Sequence, residues 1–139
     1  MEDLVSERVV AQRIRNNVID VLETSASFEA QVEYQLKVTF VYIPNEILEQ
    51  WGDWVTDDPR IQQPIPLIEG LYSSAEIAAM ADFHDVWLGA FAATTDRAEL
   101  SIVQTRPEWL ALRDAARSAL EVFQVRGRMP QDQEVAWPA

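Results

Sequence analysis

Cysteine is absent from this chain, and histidine (His84) and lysine (Lys37) occur once each. Without cysteine there are no disulfides, zinc–thiolate sites or thiol nucleophiles. With one histidine, the pair His84-Asp85 does not make the signature of the metal-dependent HD hydrolases, which need several. A carboxylate-bridged helix bundle would place Glu three residues before the histidine, and that position is Ala81. The four glycines, Gly52, Gly70, Gly89 and Gly127, stand alone, so no phosphate loop, dinucleotide fingerprint or GxSxG elbow can be drawn. No apolar run approaches the span of a membrane helix. The opening MEDLVSERVV has neither a basic leader nor an apolar core, so the expected location is the cytoplasm.

Positive charge is also scarce. Eleven basic residues against twenty-three acidic ones give a net charge of −12. Such a field repels phosphate backbones and anionic lipid, so neither nucleic acid nor membrane is an expected partner. It speeds encounter with a basic protein, although an acidic surface also serves solubility alone. All the basic residues except Lys37 are arginine, a bias that GC-rich bacterial coding produces.

What is present is core material: 48% of 139 residues are apolar, with five Trp and five Phe, enough for one packed domain over 1–139. Ser6 can cap a first helix that carries Val10, Ile14, Val18, Val21 and Leu22 at helical spacing, with Arg13, Asn16, Asn17, Asp20 and Glu23 on other faces. Ser27 can cap the next. Residues 28–43 read two ways: apolar residues alternate as in a strand, yet Phe28, Val32, Leu36 and Phe40 are four apart as in a helix. Propensity divides the segment into helix over 28–36 and extended chain over 38–43.

Asn45 is a candidate cap for a short helix with Ile47, Trp51, Trp54 and Val55 on one side, which places both tryptophans in the core. Proline and glycine make 56–72 a long loop. Ser73 and Glu76 form a capping box before a helix reaching Ala93, whose apolar face (Ile77, Met80, Phe83, His84, Trp87, Leu88, Phe91) is wide enough for burial on two sides. His84 lies on that stripe as a hydrogen-bonded core residue. Thr105 and Glu108 read as a second capping box, Arg117 and Glu121 as an outer-face ion pair, and Gly127 and Pro130 as the stop. The tail 129–139 reads as loose. The expected fold is mostly α: a single-domain bundle of four to five helices, with at most a small strand pair near 38–43 and 100–104.

Glu46, Glu49, Asp53, Asp57 and Asp58 cluster around Trp51 and Trp54, and acids beside aromatics suit contact with a basic partner. In YIPNEILEQWGDWV and YSSAEIAAMADFHDVW, and in being small, cysteine-free and acidic without catalytic motifs, the chain resembles bacterial immunity proteins. These inhibitors protect a cell from its own contact-delivered or secreted toxin. The resemblance implies a stoichiometric inhibitor of a basic toxin domain, often a nuclease, with no cofactor, metal or catalytic residue; it transfers no site position by position. A helical oligomeric adaptor is the alternative, and a helical-bundle enzyme centred on His84 the third reading.

Overall fold

The computed structural model describes residues 6–55, 58–60 and 70–135. Those residues form six helices: α1 (Glu7–Ser25), α2 (Phe28–Lys37), α3 (Ile43–Trp54), α4 (Ser74–Ala93), α5 (Leu100–Val103) and α6 (Pro107–Phe123). The mostly helical expectation holds, with one helix more than the four to five expected and no strand among the described residues. Both candidate strand segments are corrected for the same reason, namely that local hydrogen bonds satisfy their backbone. Over 38–42 the Gln35 side-chain amide takes the carbonyls of Val38 and Val41. At 100–104 the amides of Val103 and Gln104 bond back to Glu99 and Leu100 within one helical turn.

Three caps form where serine permits them. Ser6 accepts from Val9 N, Ser27 from Ala30 N, and Ser73 and Glu76 close a full capping box. Two expected caps do not form. Asn45 lies inside α3, which Tyr42 caps and Pro44 opens; its amide instead holds Thr95 O and Ala98 N, 2.9 Å each, pinning the α4–α5 connection. Arg106, not Thr105, caps α6, because the Thr105 hydroxyl is spent on Ile102 O.

α1 contacts α2, α3 and α6, while α6 packs along α4 as well, and α5 rests on α3. Val18 and Leu22 of α1, Ile47 and Trp51 of α3, Phe83 of α4 and Trp109, Leu112 and Phe123 of α6 are buried in one apolar cluster. Each large side chain so buried contributes about 1.5–3 kcal/mol against exposure. Trp51 is in the core as expected, but Trp54 is not: it stands at the last turn of α3 with 40% of its surface exposed. α4 likewise buries Met80, Phe83, His84 and Ala90 while Ile77, Leu88 and Phe91 stay exposed, so its wide apolar face is covered on one side only.

Buried polar side chains finish the packing of α1. Asn16, which spacing places off the apolar stripe, is buried with Gln12 and Arg15. Gln12 and Asn16 bind the chain that follows α6: Gln12 Nε2 donates to Pro130 O and Gln133 O, its Oε1 accepts from Val135 N, and Asn16 exchanges two bonds with Met129. The tail expected to be loose is therefore held against α1 over 129–135. Trp137 and most of the 56–72 loop lie outside the described residues. α6 ends at Phe123, with Gly127 at φ +73° donating to Phe123 O. Arg117 does not pair with Glu121 but donates to Ala26 O, joining α6 to the end of α1. No helix of the described residues is long and apolar enough to cross a membrane.

Candidate functional site

α2 packs Phe28 and Tyr34 against the core but turns Val32 and Leu36 of its apolar stripe outward. Of its ten residues only Gln31 is fully buried, while Val32 is 43% and Leu36 75% exposed; Phe40, four residues further on, is 87% exposed. The reason lies in the polar side. Gln31 Oε1 accepts from Trp109 Nε1 (2.9 Å) and Gln104 Nε2 (3.1 Å), and its Nε2 donates to Thr24 O and Ser25 O. A buried amide with its partners met anchors α2 by its polar face, which leaves the valine and leucine outside.

The stripe forms one wall of a groove of about 610 Å³, with Leu100, Ser101 and Gln104 around α5 opposite and Thr39, Phe40, Val41 and Tyr42 at one end. A shallower extension runs past Phe28, Glu29 and Glu33. The charged residues lining both parts are Glu99, Glu29 and Glu33, all acidic. The loop carrying Phe40 is braced by one side chain: Gln35 donates to Val38 O and Val41 O and accepts from Ile43 N. Phe40 thus projects from an ordered turn, the kind of preorganised aromatic that lowers the ordering cost of binding.

The acidic residues singled out by sequence fall into two groups. Glu46, Glu49 and Asp53 lie along α3 at helical spacing, Glu46 half-buried and the other two exposed, and none has an ion-pair partner among the described residues. Asp58 belongs elsewhere: it binds Arg60, which also pairs with Asp85 on α4 and donates to Ala81 O. The Arg60 backbone amide, and then its charge, hold the Asp58 carboxyl below its ordinary value. Asp57 lies outside the described residues.

Most of the sparse positive charge is directed at the protein itself, Lys37, Arg97 and Arg106 being the exposed exceptions. Arg8, Arg13 and Arg117 donate to backbone carbonyls, Arg15 and Arg126 to Glu76, and Arg60, Arg113 and Arg128 to surface carboxylates. Among the described residues most carboxylates have no ion-pair partner, so the outward field is predominantly negative.

His84 is committed to packing. Trp51 Nε1 donates to its Nδ1 at 3.1 Å, and the imidazole stacks on Trp87 with ring centres 5.2 Å apart. Among the described residues no three His, Asp or Glu side chains converge as metal ligands.

Sequence reasoning missed the groove although its signal was present. The four-residue spacing of Phe28, Val32, Leu36 and Phe40 marked a helix stripe, but spacing does not reveal which face packs inward. Compared with known protein families, curated proteins and solved structures, the chain matches none.

Proposed function

We propose that this chain is a protein-binding inhibitor of the immunity type, which neutralises a basic toxin domain, a nuclease being one such target. The observation that carries this reading is the exposed apolar stripe of α2 with acids at its rim, in a protein whose arginines are mostly turned to its own backbone and carboxylates. Apolar surface supplies binding free energy, and the surrounding negative field supplies steering and selection against acidic partners. Glu46, Glu49 and Asp53 extend that field along α3, free of internal ion pairs among the described residues.

The test has two parts. Tagged protein is recovered from its native cells, and any stoichiometric basic partner is assayed alone and in complex; inhibition of that partner's activity is expected. Glu49→Lys with Asp53→Lys then slows association, more so at low salt. Unchanged rates move the contact away from α3. A stable homo-oligomer with no heterologous partner would favour the adaptor reading, which the exposed Leu36 and Phe40 also accommodate.

A further inference from the structure

We propose that the groove between α2 and α5 receives an amphipathic, basic α-helix of the partner, with Phe40 as a fixed contact at one end. The inference rests on the inhibitor reading and specifies how the partner is held.

Three observations select this occupant. Charge comes first: Glu29, Glu33 and Glu99 are the charged residues lining the groove, so a segment with Lys or Arg beside its apolar side chains is complementary. The same acids oppose a second copy of this chain, because an isologous contact would bring Glu29, Glu33 and Glu99 against their own equivalents in two molecules of net charge −12. Shape comes second. Val32 and Leu36 are one helical turn apart on an α-helical wall, and the opposite wall is the short α5, so the floor offers side-chain contacts spaced for an i, i+4 ridge. No strand edge exists among the described residues to pair with an extended peptide. Rigidity comes third. The three hydrogen bonds of Gln35 hold the Phe40 turn, and Gln104 in the groove is tied through Gln31 to the indole of Trp109. Filling the groove is therefore expected to be felt by a buried tryptophan, Trp109, of which only 2% is exposed.

The probe is a short synthetic Leu/Lys helix with leucines on one face, compared with a scrambled peptide of identical composition that lacks a continuous apolar face. Binding is followed by amide chemical shifts and by tryptophan fluorescence in the whole protein. The amphipathic peptide is expected to shift the amides of Val32, Leu36, Phe40, Ser101 and Gln104 and to bind at least tenfold tighter than the scrambled one, a difference of about 1.4 kcal/mol. Leu36→Glu and Phe40→Ala, both at exposed positions, are each expected to weaken it about tenfold while leaving the thermal transition in place. Trp109→Phe should remove most of the fluorescence change.

Equal binding of the two peptides, with shifts centred on Glu46, Glu49 and Asp53, would overturn the groove proposal and leave the acidic-binder reading standing. Loss of peptide binding only on Glu49→Lys would do the same. Failure of both peptides to bind at low salt would overturn the groove proposal, while the native-partner assay decides the inhibitor reading separately. A dimer in sedimentation that Leu36→Glu dissolves would show a second copy in the groove and overturn it as well.

Discussion

Arg15 of α1 and Glu76 of α4 face each other through two parallel 2.7 Å hydrogen bonds, and neither side chain has more than 1% of its surface exposed. Arg15 also donates to Leu71 O and Gly127 O and lies over the rings of Tyr72 and Phe123. Glu76 simultaneously accepts from Ser73 N and from Arg126. One buried pair thus joins the middle of α1, the start of α4 and the turn after α6.

Removing one partner leaves the other charged and buried, which costs about 3–5 kcal/mol. Arg15→Met and Glu76→Leu are each expected to lower unfolding free energy by that order in chemical denaturation. Glu76→Leu should be the worse, because the capping box goes with it. The double variant is expected to recover only part of the sum, since it removes both charges of the fully buried pair but still takes Glu76 from Arg126. Strict additivity of the two losses would show that the pair does not act as a unit.

His84 should behave as a packing residue. His84→Phe leaves the Trp51 indole N–H without its acceptor in the core, at a cost of about 1–3 kcal/mol. Partner inhibition is expected to survive at temperatures where the variant is folded. Loss of function with an unchanged melting curve would return His84 to a chemical role.

The strap after α6 depends on Asn16, whose amide binds both the N–H and the carbonyl of Met129 at 2.9 and 2.8 Å. Asn16→Ala should speed hydrogen exchange at Met129 N and Val135 N while amides in the middle of α6 stay protected. Uniform acceleration across the protein would mean that the strap opens only with global unfolding.

Alkaline stability should depend on Tyr72. Burial pushes its phenol well above the ordinary value of 10.0. Below that value the phenol is neutral whether the chain is folded or unfolded, and the group adds no pH dependence. As pH rises through about 10, the unfolded phenol loses its proton and the folded one keeps it, so stability falls. Tyr72→Phe is expected to flatten the stability profile above pH 10, measured by denaturation at stepped pH. An unchanged slope would assign the alkaline loss to other groups.

Much of the helix plan was legible because local rules governed it. Ser6, Ser27 and the Ser73–Glu76 box cap where spacing put them, since a side-chain oxygen beside unsatisfied amides needs no distant partner. Asn45 and Thr105 were misread because each found a competing acceptor or donor, Asn45 fifty residues along the chain and Thr105 three residues back. The acidic stretch was visible as composition, but its division was not: Asp58 is taken by Arg60, and that pairing is completed from α4.

The sequence by itself determined the period of the long helices, the three serine caps, the excess of carboxylate and the absence of thiol chemistry, all properties of neighbouring residues or of totals. Tertiary structure decided which face of each helix is inside. Gln31 is buried and Leu36 exposed because Trp109 and Gln104, more than seventy residues away, meet the amide's hydrogen-bonding demand. Arg15 is in the core for the same reason, with Glu76 and the carbonyls of Leu71 and Gly127 as its distant partners. Periodicity ranks faces by hydrophobicity, whereas a fully satisfied polar group can be buried against that ranking.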